Sequence, residues 1–214
     1  MNQTLKINEI FFSLQGEGPH MGLPTTFIRL TGCPLRCQYC DTAYAFKGGS
    51  HLSISEIIDR VKPNMGQYVC VTGGEPLAQK RVYPLIEALC DLGYHVSIET
   101  SGSFSIAEVD HRATCIVDIK TPGSNEVMKN DWENFNRLRS QDQIKFVICD
   151  QADFEWAMQK VVKKHSIEPS RFWFSPSYEA LSATTLADWI INQDQPVRFQ
   201  IQLHKLLWGD VIGK

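Results

Sequence analysis

Tyr68-Val69-Cys70-Val71-Thr72-Gly73-Gly74-Glu75-Pro76 sets an apolar, partly β-branched run against a glycine-rich break, and a helical pattern follows closely. Val82, Leu85, Ile86 and Leu89 recur at helical spacing from about Arg81 to Leu92, with Gly93 as a C-terminal stop. The stretch therefore predicts a strand, a turn with exposed backbone, and a helix that returns over the sheet. Similar strand-like runs lie at Glu9 to Phe12, Thr26 to Leu30, His95 to Glu99, Thr114 to Lys120, Gln143 to Ile148, Arg171 to Phe174 and Val197 to Leu203. Helical patterns fall between many of them. Ser53-Ile54-Ser55-Glu56 is a capping box ahead of Ile57, Ile58 and Val61, stopped by Pro63, and further helices are expected over Ala152 to His165 and Ala180 to Asn192. Strands alternating with helices imply an α/β fold with a parallel sheet, either open and doubly wound or curled toward a barrel. The pattern alone does not choose between them.

Ligand sites of parallel α/β folds lie beyond the carboxyl ends of the strands. Polar or glycine-rich residues collect there repeatedly: Gly32-Cys33, Gly73 to Pro76, Thr100-Ser101-Gly102, Asp118 with Lys120, Ser175-Pro176-Ser177 and Gln202-Leu203-His204. One rim is thus expected to carry the chemistry.

The chain has 214 residues, 43% of them hydrophobic and 21% charged, and no linker, repeat or low-complexity tract divides it. A single domain over residues 1–214 is the economical expectation. Its 21 basic and 24 acidic residues give a formal charge of -3, which leaves no electrostatic excess for gripping a phosphate backbone, so nucleic-acid binding is not expected. The apolar runs are too short to span a bilayer, and the first residues lack the pattern of a secretory signal. No membrane association is expected, and the cytoplasm is the expected compartment.

Seven cysteines, an odd number without an export signal, argue against a disulfide framework. Cys70, Cys90, Cys115 and Cys149 sit singly in apolar stretches and read as core. The other three fall in Gly32-Cys33-Pro34-Leu35-Arg36-Cys37-Gln38-Tyr39-Cys40-Asp41, a C-x3-C-x2-C loop able to turn three sulfurs toward one centre. Structural zinc would want a fourth ligand, for which His20 or His51 lacks the usual spacing, and a redox pair of Cys37 and Cys40 would leave Cys33 unexplained. An iron-sulfur cluster held by three thiolates would keep one iron open for a ligand.

The cysteine loop, with Tyr39 just before its third cysteine, resembles the cluster loop of radical S-adenosylmethionine enzymes, and Thr72 to Pro76 is similar to their glycine-rich segment. The resemblance implies a 4Fe-4S cluster on Cys33, Cys37 and Cys40, whose open iron chelates S-adenosylmethionine for cleavage to a 5'-deoxyadenosyl radical. It also implies a partial TIM-like barrel of about six parallel strands with fewer helices than a full barrel. A glycyl-radical activase or a non-enzymatic zinc or iron-sulfur module remains an alternative to be discriminated by substrate-site residues and by metal analysis.

Further stretches narrow the resemblance. Phe11 to Gly18, Phe27 to Leu30, Cys40-Asp41-Thr42, Ile98 to Gly102 and Gln202 to Lys205 resemble the 7-carboxy-7-deazaguanine synthase family over nearly the whole chain. That family contracts the ring of 6-carboxy-5,6,7,8-tetrahydropterin with loss of ammonia, on the way to queuosine. The resemblance implies substrate binding by Leu14, Gln15, Gly16, Glu17, Arg29 and Thr72, the first five within an N-terminal segment of about residues 8–30. It implies S-adenosylmethionine contacts from Tyr39, Cys40, Asp41, Gly74, Asp118, Ile119, Lys120, Ser175, Pro176, Ser177 and Tyr178, and Mg2+ at Thr42. Many members have Ser-Pro-Lys where this chain has Asp118-Ile119-Lys120, and the 175–178 segment keeps only the proline of a Gln-Pro pattern. It further implies a flavodoxin- or ferredoxin-like electron donor and a homodimer.

Residue chemistry suits several of these roles. Gln15 and Glu17 offer side chains and backbone amides to an amino-pyrimidinone edge, with Gly16 allowing close approach. Arg29 interrupts the apolar run Phe27-Ile28-Arg29-Leu30 and needs an acceptor, either a substrate carboxylate or an internal glutamate. Lys145 and His204 face the rim on strand phase without an assigned role. Some members end soon after the His-Lys motif and bind the pterin with the terminal carboxylate, whereas this chain continues to Lys214, so either Lys214 supplies that carboxylate or the contact differs.

Overall fold

The structure is a computed structural model that describes residues 4–209, 211 and 213. Nine strands form one sheet: β1 Thr4–Leu14, β2 Pro24–Leu30, β3 Ser50–Ser53, β4 Tyr68–Gly73, β5 His95–Thr100, β6 Thr114–Asp118, β7 Gln143–Ile148, β8 Phe172–Pro176 and β9 Arg198–Phe199. Their order is β3-β1-β2-β4-β5-β6-β7-β8-β9. β2, β4, β5, β6, β7 and β8 run parallel, and the two-residue β9 continues the series. β1 is antiparallel to β2, and β3 is antiparallel to β1 at the far edge. This is an α/β partial barrel: the sheet does not close, and its helices are fewer than its strands.

The α-helices among the described residues are α1 Ile54–Val61, α2 Val82–Asp91, α3 Asn134–Arg137, α4 Gln151–Trp156, α5 Ala183–Ile191 and α6 Leu203–Trp208. The Ser53 capping box forms as expected: Ser53 Oγ accepts from the Glu56 amide at 3.2 Å, and a Glu56 carboxylate oxygen accepts from the Ser53 amide at 2.7 Å. The single helix expected over Ala152 to His165 is α4 followed by a π-helical stretch, Ala157–Val162, where the Lys163 amide reaches the Met158 carbonyl.

Strand alternation divides the molecule into two layers. Val69, Val71, Val96, Ile98, Cys115, Val117, Ile144, Phe146, Phe172 and Phe174 point outward and pack with Leu85, Ile86, Leu89, Phe154 and Leu186 of the helices in one apolar core. The intervening residues Phe27, Arg29, Thr72, Glu99, Ile116, Asp118, Lys145, Val147 and Ser175 face the concave side, where they line a cavity.

One expectation needs correction at the C-terminal end. Val197 to Leu203 forms only the two-residue β9, and Leu203 begins α6. The apolar alternation there was real, but the backbone leaves the edge to cross the barrel: the Leu203 amide donates to the Gly16 carbonyl at 3.1 Å, and Gln200 Oε1 accepts from the Gly18 amide at 2.9 Å. Residues 15–18 and 200–204 thereby bridge the gap that the open sheet leaves. Among the scattered cysteines, Cys70, Cys90 and Cys115 are buried, whereas Cys149 is half-buried.

Candidate active site

One cavity at the carboxyl ends of the strands gathers nearly every residue singled out above. Its lining includes Leu14, Gln15, Gly16, Glu17, Arg29, Cys33, Cys37, Tyr39, Cys40, Asp41, Thr42, Thr72, Gly74, Asp118, Lys120 and Ser175 through Tyr178. Ile119 is the exception. Its side chain lies in the apolar core, and its amide extends the β6 pairing by donating to the Lys145 carbonyl at 2.9 Å.

The upper part of the cavity is built by two loops pressed together. Gly73 has φ +146, and a Cβ there would lie 2.3 Å from the Leu30 carbonyl oxygen. At Gly74 it would lie 2.3 Å from the Gly32 carbonyl oxygen and 2.8 Å from the Cys33 Cβ. The two glycines thus let the β4 exit sit directly on the start of the cysteine loop, and the Glu75 amide seals the contact by donating to the Gly32 carbonyl at 2.9 Å. From the other side, the Arg36 amide donates to Glu126 at 2.5 Å and the Gln38 amide to the Ser124 carbonyl at 3.1 Å.

Glu75, to which the sequence reading gave no role, is fully buried. Its carboxylate accepts from the Leu77 amide at 2.9 Å, the Thr100 hydroxyl at 2.9 Å, the Ser101 amide at 2.6 Å and the Ser101 hydroxyl at 2.5 Å. Burial pushes this carboxyl above its ordinary value, against the pull of the Ser101, Leu77 and Thr100 donors. Glu75 is therefore the hub that ties the β4 exit to the β5 exit.

The three cysteines open on the cavity, with burial raising the Cys33 thiol and pushing Cys37 up to about 11. Among the described residues, no three His, Cys, Asp or Glu side chains are gathered onto a metal-binding point. The donor set itself fits a cluster with three protein thiolates, because iron is the kind of partner that holds desolvated sulfur in its charged form. Lys120 lies beneath the loop, its Nζ 2.9 Å from Asp118 and 5.8 Å from the Tyr39 ring centre. Burial alone would lower this ammonium, but Asp118, Tyr39 and Cys37 outweigh it and hold it above the ordinary lysine value. Two buried atoms here, Tyr39 Oη and Asp118 Oδ1, have no hydrogen-bond partner among the described residues. Such groups fit a polar ligand.

The lower part of the cavity is charged. Glu17 reaches across the barrel to an ion pair with Lys145, both side chains being largely buried. Glu99 accepts from the Thr72 hydroxyl at 3.1 Å and from Gln15 Nε2 at 3.4 Å. Burial, followed by the like charge of Glu17, raises the Glu99 carboxyl, while Lys145 and Arg29 pull it back. Glu99 had also escaped the sequence reading, although its inward phase with Ser97 on β5 was a signal for it.

The geometry alters three expectations. The Gln15 and Glu17 amides are not offered to a ligand, since Gln15 donates to the Leu23 carbonyl at 2.9 Å and Glu17 to Gln15 Oε1 at 3.3 Å. Gly16 does permit a close approach, but to His204, whose Nδ1 would lie 2.4 Å from an added Cβ. Arg29 has an internal glutamate: its Nε donates to Glu9 at 2.7 Å, and Glu9 also accepts from the Tyr44 hydroxyl at 2.8 Å. Its two terminal amines have no protein acceptor among the described residues. Thr42 and Asp41 lie side by side, the hydroxyl donating to the carboxylate at 3.3 Å, and Gln202 donates to the other Asp41 oxygen at 3.0 Å. The expected role of the Lys214 carboxylate lies outside the described residues.

The radical SAM superfamily model matches residues 27–113, which contain both the cysteine loop and the Gly-Gly turn. A 7-carboxy-7-deazaguanine synthase of Koribacter versatilis is 41% identical over 95% of this chain and 97% of its own. One of Chlorobaculum tepidum is 39% identical over 96% of this chain and 94% of its own. The chain belongs to the 7-carboxy-7-deazaguanine synthase family. The crystal structure of QueE from Escherichia coli superposes with a TM-score of 0.77 at 25% identity, covering 95% of this chain and 97% of the other. Membership makes this a radical S-adenosylmethionine enzyme with a 4Fe-4S cluster. No helix among the described residues is long and apolar enough to cross a membrane.

Proposed function

We propose that this protein converts 6-carboxy-5,6,7,8-tetrahydropterin to 7-carboxy-7-deazaguanine with loss of ammonia, as a single radical S-adenosylmethionine domain with its substrate segment at about residues 8–30. The observation that carries the reading is a single cavity with three thiols and a Gly-Gly cradle at one end and an Arg29, Thr72, Glu99, Glu17 polar set at the other. Cys33, Cys37 and Cys40 would hold the cluster. Gly74, Tyr39, Asp41, Asp118, Lys120 and the 175–178 segment would receive S-adenosylmethionine, the orphaned Tyr39 and Asp118 oxygens being suited to its polar groups. When bound, cluster and cofactor supply the radical that abstracts a hydrogen inaccessible to acid-base groups.

The chain's own residues bind and orient the pterin. The terminal amines of Arg29, whose Nε is fixed by Glu9, suit the substrate carboxylate. Gln15, Glu17, Glu99 and Thr72 suit the amino-pyrimidinone edge. Thr42 beside Asp41 offers the sparse oxygen donors that Mg2+ accepts when water and substrate complete its shell. Electrons would come from a flavodoxin- or ferredoxin-like donor in the cytoplasm. A homodimer is supported by the apolar surface where Phe12, 41% exposed, lies over Gly66 next to the exposed Met65.

The test is mass spectrometry of an anaerobic reaction holding cluster-reconstituted protein, dithionite, S-adenosylmethionine, Mg2+ and the pterin, with Cys37→Ala as control. Product from the intact protein alone is the expected result. Accumulation of 5'-deoxyadenosine without product would overturn the pterin assignment while leaving the radical machinery standing.

A further inference from the structure

Lys145 belongs to neither the cysteine loop nor the Gly-Gly turn, yet it is the cation that faces both carboxylates on the cavity floor. It projects from β7 toward Glu17 of the β1–β2 link, with side chains 13% and 12% exposed, and Glu99 of β5 shares the same space. Two carboxylates confined together in a cavity cannot both stay ionised without a compensating charge. Of the other charged groups around them, Arg29 also bears on Glu99 but less than Lys145 does, and the rest are committed elsewhere. Arg29 of β2 is paired with Glu9, Asp118 of β6 takes Lys120, and Lys205 of α6 sits 4.4 Å from the Tyr178 ring centre. Burial holds His204 below the ordinary histidine range despite Glu17 and Asp41, so it adds little positive charge near neutrality. Lys145 itself stays charged: burial alone would lower it, but Glu17, Asp118 and Glu99 more than reverse that.

We propose that Lys145 is a positioning residue for the pterin, whose ammonium clamps Glu17 across the barrel and offsets Glu99 so that both carboxylates stand as acceptors under the amino-pyrimidinone edge. The inference rests on the pterin reading above and deepens it. Adjacent N–H groups on a heterocycle need acceptors, and a carboxyl that takes a proton turns one acceptor into a donor. Glu99 is already braced by Thr72 and Gln15, whereas Glu17 depends on Lys145 for its reach across the barrel.

The experiment measures binding of 6-carboxypterin, the oxidised fluorescent relative of the substrate, to cluster-loaded protein with S-adenosylmethionine and Mg2+ but no reductant. Lys145→Met is expected to weaken binding by about tenfold or more near neutral pH, the scale of a lost charge-assisted contact. Part of that loss should be recovered as the pH rises and Glu99, raised by burial, sheds its proton. Lys145→Arg should restore binding. In a Glu17→Gln background, Lys145→Met should add less, because the clamp has no charge to hold and only Glu99, already braced by Thr72 and Gln15, remains to be offset.

A purely structural lysine would give a loss that does not change with pH, because the Glu17 ion pair makes the two substitutions non-additive in either case. That result, or wild-type binding by Lys145→Met, overturns the proposal while leaving the pterin assignment intact. Failure of the wild-type protein itself to bind the pterin overturns both. If Lys145→Met does not fold, Glu17→Gln/Lys145→Met lacks both charges of the pair and is compared with Glu17→Gln alone. A smaller loss there that is recovered as the pH rises supports the proposal, and a loss that does not change with pH rejects it.

Discussion

The two ends of the cavity hold their carboxylates by opposite means. Behind the rim, the buried Glu75 makes no ion pair among the described residues and is held by neutral donors from Leu77, Thr100 and Ser101. On the floor, Glu17 is held by the Lys145 ammonium, and Glu99 lies within the field of the same charge. Neutral donors fix a geometry without linking it to the ionisation of neighbours, which suits a rigid frame under the cysteine loop. A charge-based arrangement responds to whatever charge or proton enters it, which suits a surface that recognises a substrate. The rim should therefore break structurally, and the floor electrostatically.

The largest effect is expected from Glu75→Gln. The replacement amide is nearly isosteric, but its NH2 must face either the Ser101 amide or the Leu77 amide, leaving a buried donor unpaired at a cost of about 3 kcal/mol. Urea unfolding should show this loss together with reduced iron content after reconstitution. A stability near wild type would mean that Glu75 is not the hub its contacts suggest. Gly74→Ala comes next. Its Cβ would meet the Gly32 carbonyl, backbone against backbone, so the cysteine loop must move, at a cost of about 1–3 kcal/mol. Iron content should fall more than stability does, whereas full cluster uptake would show that the loop tolerates the shift.

This division also explains what the sequence could reveal. Cys33, Cys37 and Cys40 lie in one short loop, and Gly73-Gly74 directly follows a strand, so local spacing exposed the rim. The parallel strands and the Ser53 cap were legible for the same reason. The floor is assembled from residues far apart in the chain: Glu17 meets Lys145, Gln15 meets Glu99, and Gly18 meets Gln200. No spacing rule connects such pairs before the sheet has curled. The short β9 was misread likewise, because Val197 to Leu203 has strand alternation but spends its backbone on a crossing partner at Gly16. β3 was overlooked since its four residues carry little apolar signal of their own.

The smallest expected effect is a slope rather than a step, and it tests the floor directly. Glu99 in the folded protein lies above its ordinary value of 4.5, because burial and then Glu17 outweigh Lys145, Arg29 and Thr72. Between that ordinary value and the raised one, the folded state binds more protons than the unfolded state, so Glu99 makes stability fall as pH rises through the window. Gln at this position cannot titrate. The unfolding free energy of Glu99→Gln relative to wild type should therefore shift in favour of the variant as pH is raised from about 4.5 toward neutrality. Glu75 is also raised by burial, but it is present in both proteins, and its contribution cancels in the difference. Urea midpoints for the two proteins across this range measure the slope. A difference that does not change with pH would mean that Lys145 fully compensates both carboxylates, and the floor would then be as insulated from protons as the rim.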